Sequence, residues 1–343
     1  MIRVGIIGCG KIAQVRHIPE YLANPGSKIM GYYDVNQERA DMLAKKFGGS
    51  VYNNYEDMLD DPEIDAVSIC TANKAHGKIA VEALKKKKHV LCEKPMATTL
   101  EECQAMTAAA KKSKSILMIG HNQRLTSVHK RAKLLLEEGV IGRVITFRST
   151  FGHSGPENWS IDKGRQTWFF DRQQAFMGAM ADLGVHKTDL LQFLLNDKIN
   201  AVTAYMGTLD KTDSQGNLIS VDDNAVCILE MAGGSVGTMT ASWTFYGEED
   251  NSTVIYGTDG ILKLYTDPDH GMLVIKKDGT KIIYEAEAMQ TNENQTSSGV
   301  IDAFIESITG DTSMISGESV LSAMKAVFAA KESAEKGKRV EII

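Results

Sequence analysis

VGIIGCGKIA, Val4 to Ala13, is the stretch on which the fold turns. The apolar run Val4–Ile7 breaks into Gly8-x-Gly10-x-x-Ala13. That order reads as a buried strand, a glycine turn and the start of a helix, the phosphate cradle of a dinucleotide-binding βαβ unit. Gly8 permits the tight turn. Gly10 has no Cβ, so a pyrophosphate can approach the backbone, with Lys11 and Ile12 completing the candidate cradle. Ala13 lets the helix lie close on the strand. The helix N-terminus offers free N–H groups and a positive dipole end to phosphates. Outward from this stretch, Lys28–Tyr33 reads as the next strand. Asp34 closes it about 20 residues beyond Ala13, the offset of the acid that grips the adenosine ribose. An ordinary glycine turn followed by a helix-capping Asp would not require strand, turn, helix, strand and acid in this order.

A chain of 343 residues suggests two domains. With 43% hydrophobic and 24% charged residues it has the composition of a globular protein able to bury a large core. The net charge of −6 argues against nucleic acid as a partner. The basic run Lys85–Lys88 falls at a helix end, where cations suit the dipole. Cys9, Cys70, Cys92, Cys103 and Cys227 form no C-x-x-C pair, so neither a disulfide framework nor a zinc site is expected. The first strand begins at Ile2, and no apolar run approaches a membrane helix. A cytoplasmic protein is expected.

Up to Gly120 strands and helices alternate. Gln37–Phe47 is helical and stops at Gly48-Gly49, and Tyr55–Asp60 is a short helix before Pro62. Ala66–Cys70 is a strand, Ala75–Lys87 a helix and His89–Cys92 a strand. Thr99 caps a helix through Lys112, with Glu102 completing a capping box. Ser115–Ile119 counts as the sixth strand, the third having no clear range. This is a doubly wound parallel sheet over 1–121. From 122 to 343 the texture changes. Leu125–Gly139 and Met177–Leu195 are helical, and Val144–Phe151 is a half-buried strand followed by a polar loop to Gln166. Strands follow at Ala201–Leu209, Asn224–Met231, Ser235–Thr244, Thr253–Tyr256, Ile261–Tyr265, Met272–Lys276 and Lys281–Tyr284. Gly233-Gly234 and Asp278-Gly279 mark hairpins. An antiparallel, open-sheet α+β domain is expected, with closing helices at Val300–Ile308 and Glu318–Lys336 that could pack back on the first domain.

Ligands of doubly wound sheets bind beyond the carboxyl ends of the strands. Thr71-Ala72-Asn73 with His76, Glu93-Lys94-Pro95, and His121-Asn122-Gln123-Arg124 fall there. Pro95 restricts the backbone of Lys94, and their peptide bond could be cis, so the ammonium would be held in one direction. It could polarise a substrate oxygen or share its proton, or it could be an exposed turn lysine. Asp182-Leu-Gly-Val-His186 puts Asp182 and His186 on one helix face at i, i+4, with Asp189 continuing the row. Gly184 inside that helix suggests that a cofactor or another backbone packs closely. His186 near its ordinary pKa suits a general base, and Asp182 could bind a substrate hydroxyl and tune it. The same pair could be a surface Asp–His contact. A metal site is not expected, since no third ligand has suitable spacing.

Gly8-Cys-Gly-Lys-Ile-Ala13, Glu93-Lys94-Pro95 and Asp182-x-Gly184-x-His186 occur in this order in the Gfo/Idh/MocA oxidoreductases, which the chain resembles over essentially its whole length. The resemblance implies a Rossmann domain, a C-terminal α+β domain with a large sheet, and reversible oxidation of a sugar or cyclitol hydroxyl by a nicotinamide cofactor. It implies Lys94, Asp182 and His186 as the catalytic set. His186 would accept the proton, and Lys94 would position substrate and nicotinamide. It places Thr71, Asn73, His76, Glu93, Asn122 and Arg124 along cofactor or substrate. Many members have Pro in the middle of Thr71-Ala72-Asn73, so backbone rigidity there is lower in this chain. Asp34 favours NAD because it would repel a 2′-phosphate; Arg39 could offset this and leaves NADP open. The segment from His153 to Trp168, with Asn158, Trp159 and Arg165, is the candidate for substrate contacts, a Trp face with polar donors suiting a polyol ring. One sheet face would be free for a second subunit, so a homodimer or homotetramer is expected. NAD-assisted glycosidases share this fold and are the alternative enzyme class. A nucleotide-sensing regulator is the non-catalytic one, though a sensor needs none of Lys94, Asp182 and His186.

Overall fold

The computed structural model describes residues 1–267, 270–285, 297–313 and 315–342. The first sheet contains β1 (Ile2–Ile7), β2 (Ser27–Tyr33), β3 (Ser50–Val51), β4 (Ala66–Ile69), β5 (His89–Cys92) and β6 (Leu117–Ile119). Their order is β3-β2-β1-β4-β5-β6 and every neighbouring pair is parallel. Val4, Ile6, Ile7, Val67, Ile69, Val90 and Leu91 are fully buried, as expected of parallel strands covered on both faces. The unassigned third strand is Ser50–Val51, too short to carry a periodic signal. Between the strands lie α1 (Ile18–Ala23), α2 (Gln37–Phe47), α3 (Tyr55–Asp60), α4 (Asn73–Lys85) and α5 (Leu100–Ser113). The expected capping box opens α5. Thr99 Oγ1 accepts the Glu102 amide at 3.1 Å, and Glu102 Oε2 accepts the Thr99 amide at 3.2 Å.

After α6 (Ser127–Glu137) come β7 (Val144–Gly152), a one-turn α7 (Arg172–Ala175) and α8 (Val185–Leu195). Then follow β8 (Ile199–Gly207), β9 (Asn224–Met231), β10 (Val236–Ser242), β11 (Thr253–Gly257), β12 (Gly260–Asp267), β13 (His270–Lys276) and β14 (Lys281–Tyr284). The chain closes with α9 (Val300–Gly310), α10 (Gly317–Lys336) and β15 (Val340–Glu341). The second sheet runs β14-β13-β12-β11-β7-β10-β9-β8-β15. It is mostly antiparallel, and mixed because β7 and β10 pair in parallel, Phe147 opposite Gly237. Alternation along β9 buries Ala225, Cys227 and Leu229 under the helices and turns Val226 and Ile228 outward. The closing helices bind the two halves together. α10 packs on α5 and β6 as well as on α8 and β8. Glu20 accepts the amides of Ser298 (2.7 Å) and Ile301 (3.3 Å) at the start of α9.

Candidate active site

Between the two sheets lies a cleft of about 690 Å³. Gly8, Gly10, Lys11, Ile12, Asp34, Arg39, Thr71, Asn73, Glu93, Lys94, Asn122, His153, Trp168, Asp182 and His186 all line it. Gly8 has φ of +94°, and a Cβ there would meet the Cys70 carbonyl at 2.6 Å. A Cβ on Gly10 would meet nothing within 4 Å, so an open space adjoins the backbone where a diphosphate would lie. The helix opens at Lys11, and its first amides have no carbonyl one turn back. Asp34 accepts the Cys9 amide at 2.6 Å and the Asn36 amide at 2.8 Å, which fixes the carboxylate at the lip of the cradle. The cradle fits a dinucleotide.

Two π-helical turns face the cleft, Ala13–His17 and Met180–Gly184. Such turns are rare and cluster at functional sites. The first delivers Arg16 and His17 to Glu93, at 3.0 and 2.9 Å. Burial alone would push the Glu93 carboxyl up, but the Arg16 and His17 charges hold it well below the usual range. The second turn carries Asp182. In a regular α-helix the i, i+4 spacing would set Asp182 over His186. The π turn closes i to i+5 and swings Asp182 toward the other domain. Its Oδ1 accepts from Lys94 Nζ at 2.7 Å, and its Oδ2 accepts from Trp243 Nε1 at 3.0 Å. Lys94 also donates to the Asp182 carbonyl oxygen at 2.9 Å, and its peptide bond to Pro95 is cis. Burial opposes ionisation of Asp182, yet Lys94 keeps its carboxyl below the ordinary value.

His186 is 7% exposed and packs edge-on to His121, with ring centroids 5.8 Å apart, and against Phe151 at 5.9 Å. Burial, with the Lys94 charge adding to it, lowers its pKa well below the free value, contrary to the near-ordinary pKa expected. The ring is therefore neutral, with an unprotonated nitrogen. His153 accepts the Gly155 amide on Nδ1 at 3.0 Å, so its Nε2 carries the hydrogen, 3.9 Å from Asp182 Oδ2. Five buried polar atoms on cleft residues have no hydrogen-bond partner: Asn122 Oδ1, Gln123 Oε1, His153 Nε2, Trp159 Nε1 and His186 Nδ1. Buried polar atoms are rarely left so, and here the residues that carry them line one cleft. Beside them Trp168 stacks on Phe169 at 3.9 Å, and Trp159 meets Phe169 at 5.2 Å.

Several expectations are corrected. His76 does not line the cleft; its ring nitrogens lie 2.8 Å from Pro95 O and 3.1 Å from Thr71 O, bracing the two loops from behind. Arg124 is also outside the lining, paired with Asp189 through Nε at 2.7 Å. Asp189 therefore does not continue the Asp182–His186 row into the site. The reason is that α8 is buried on every side, so its polar residues find separate partners; Lys187 Nζ donates to Asn251 O at 3.0 Å. The close packing at Gly184 is neither cofactor nor backbone. A Cβ there would meet the Met180 sulfur at 2.5 Å and the Ala241 side chain on β10 at 3.4 Å. Asn158 and Arg165 are exposed and do not line the cleft. Sequence reading gave no role to Arg16, Phe151, Glu249 or Asn251 of the lining, nor to Trp243 behind it. Among the described residues no three His, Cys, Asp or Glu side chains are grouped to hold a metal, and no helix is long and apolar enough to cross a membrane.

The chain that builds this cleft is similar to known proteins. The family model described as oxidoreductase family, NAD-binding Rossmann fold, matches residues 2–121, and the Gfo/Idh/MocA C-terminal domain model matches 129–263. The levoglucosan dehydrogenase of Pseudarthrobacter phenanthrenivorans is 30% identical over 76% of this chain and 72% of its own. The chain belongs to the Gfo/Idh/MocA family. Its first domain is the family's NAD-binding Rossmann unit, and the chain is an oxidoreductase. The myo-inositol 2-dehydrogenase of Thermotoga maritima is 24% identical over 99% of this chain and 98% of its own. A solved levoglucosan dehydrogenase in complex with NADH superposes with a TM-score of 0.87 at 26% identity, covering 100% of this chain and 99% of that one. The Rossmann and open-sheet architecture read from this Gfo/Idh/MocA sequence agrees with both comparisons.

Proposed function

We propose that this Gfo/Idh/MocA oxidoreductase is an NAD-dependent dehydrogenase of a sugar, sugar derivative or cyclitol, with Lys94, Asp182 and His186 as its catalytic residues. The observation that carries the reading is the set of unpartnered polar atoms beside the Trp159, Trp168 and Phe169 wall. Stacked rings suit the C–H face of a pyranose or inositol, and the polar atoms suit its hydroxyls. Bound in the glycine cradle, NAD would supply the acceptor for hydride leaving the substrate carbon. His186, neutral through burial, takes the hydroxyl proton. Lys94 holds the substrate oxygen from the other side. Asp182 anchors that ammonium and is itself held by Trp243. Glu93, paired with Arg16 and His17, fixes the loop carrying Lys94. Gly8, Gly10, Lys11 and Ile12 would hold the diphosphate, Asp34 the ribose, and Thr71, Asn73 and Asn122 the nicotinamide half.

We divide the chain into a cofactor domain, 1–121, and a substrate and assembly domain, 122–343. The outer face of the second sheet exposes Tyr205, Val226, Ile228, Val236 and Ile283, an apolar surface suited to a second copy of the chain. Five buried cysteines, none of them in a disulfide, suit a reducing compartment and support a cytoplasmic enzyme. A panel of inositols, hexoses and amino sugars with NAD, read at the NADH absorbance, tests the activity. His186→Ala and Lys94→Ala should each lower turnover by at least ~10²-fold while NAD still binds. Near-wild-type turnover of both variants, or no NADH from any polyol, would remove the proposal. Release of nitrophenol from aryl glycosides without net NADH would move it to the glycosidases.

A further inference from the structure

Arg39, on α2 of the cofactor domain, reaches across the mouth of the cleft to Asp162 of the other domain, Nη2 to Oδ1 at 2.5 Å. The contact joins residues 123 positions apart. Asp34, Val35, Arg39, Ile161 and Asp162 line the same end of the cleft, where Asp34 would hold the adenosine ribose. The Arg39 charge is near enough to act on the Cys9 thiol beside Asp34. Burial pushes that thiol up to about 12, Asp34 adds to the effect and Arg39 opposes it. Asp162 is not a loose side chain that happens to fall nearby. Ser160 Oγ donates to the Asp162 carbonyl oxygen at 2.9 Å, and the Gly164 amide donates to Glu157 O at 2.9 Å. Lys211, itself buried, pairs with Glu157 and donates to Ser154 O at 2.6 Å. The strap that presents Asp162 is thus built onto its own domain before it meets Arg39.

An ion pair with side chains 22% and 50% exposed adds little to stability. Its effect is on what the guanidinium can do. An arginine just after β2 is placed to bind a 2′-phosphate, and only a free one can. Here a carboxylate from the second domain already takes it. With Asp34 and Asp162 against Arg39, this end of the cleft carries one net negative charge, which a phosphate dianion would have to approach.

We infer that Asp162 is a further cofactor-selecting residue: it withholds Arg39 from a 2′-phosphate and, with Asp34, restricts the site to NAD. The inference rests on the NAD reading under Proposed function and deepens it. The test is a fluorescence titration of the full-length protein with NADH and with NADPH, no substrate present. Asp162→Asn should raise the ratio of NADPH to NADH affinity about ten-fold by lifting one like charge and releasing Arg39. In Arg39→Gln/Asp162→Asn that gain should vanish, because no cation is left to receive the phosphate. A ratio unchanged within two-fold in Asp162→Asn overturns the inference. So does a gain that survives loss of Arg39, or a wild type that prefers NADPH. A wild type that binds neither dinucleotide brings down the cofactor reading itself, a distinct result seen before any variant is compared.

Discussion

Lys94→Met separates what the Lys94–Asp182 pair does for the fold from what it does for the chemistry. In the wild type the Asp182 carboxylate is 5% exposed and accepts Lys94 Nζ at 2.7 Å and Trp243 Nε1 at 3.0 Å. Methionine keeps the packing volume and removes the cation. The carboxylate is then left with one neutral donor, and breaking a buried pair in this way costs roughly 3–5 kcal/mol. Proton uptake by Asp182 limits the cost, so pH enters with a definite sign. In the wild type Asp182 is held below its ordinary pKa of 3.8, so the stability it contributes is present above about pH 4 and is lost as pH falls further. Without Lys94, burial dominates and the folded pKa moves above the unfolded one. The variant then loses stability as pH rises. Urea midpoints of the ligand-free protein should show a deficit of roughly 3 kcal/mol at pH 8 that shrinks toward pH 5. Lys94→Met/Asp182→Asn should recover most of that deficit, because the orphaned charge is gone. It should not recover turnover, which stays at least ~10²-fold down in single and double variants. Equal deficits at pH 5 and pH 8, or no rescue by the second substitution, would show that Lys94 does not hold Asp182 ionised. Wild-type turnover in the double variant would remove both groups from the chemistry.

Gly10→Ala should leave the thermal midpoint of the ligand-free protein unchanged, since a Cβ meets nothing within 4 Å. It should weaken NADH binding by at least about ten-fold, because that Cβ enters the diphosphate's space; equal NADH affinity by fluorescence titration would contradict the cradle. His129, held between Gln123 O at 2.7 Å and Thr126 Oγ1 at 2.9 Å, has its pKa lowered to about 3, first by burial and then by Lys187. The unfolded chain binds that proton near pH 6.5, so folding loses stability as pH drops from there toward 3. The cost of His129→Gln by urea unfolding should therefore be smaller at pH 4.5 than at pH 7.5, by roughly 2–3 kcal/mol; a pH-independent cost would mean the ring is charged when folded. Val226→Glu/Ile228→Glu places two carboxylates on the outward face of β9 and should yield monomers by light scattering. A mass equal to the wild type's would put any assembly elsewhere.

The Rossmann half was legible because its signals are local. One apolar run, two glycines and one acid lie within a single βαβ unit, and Glu93-Lys94-Pro95 follows a strand that reads as one. The proposed catalytic set was legible as two motifs but not as a geometry. Trp243, 61 positions from Asp182, reaches it only through the packing of β10 beneath the π turn. The π turns leave no mark in the hydrophobic period, and one of them, Met180–Gly184, carries the Asp182 that meets Lys94. Burial shifts the His186 pKa, and spacing says nothing of burial. The strands of the second sheet were found by alternation, but alternation carries neither order nor direction, so the parallel β7–β10 pair could not be read from it. Arg124 and His76 were placed by their position after strand ends. Both instead brace neighbouring segments just outside the cleft.

The helix Gly317–Lys336, 20 residues long, is cemented to α5 and β6 on one side and to α8 and β8 on the other. A rigid rod fixed to both lobes resists the wide jaw-like swing by which many two-lobed enzymes exchange their ligands. The strap from His153 to Trp168 meets the first lobe at the solvent-facing Arg39–Asp162 pair. Because water and salt screen that pair, dinucleotide binding at this end of the cleft should depend on ionic strength.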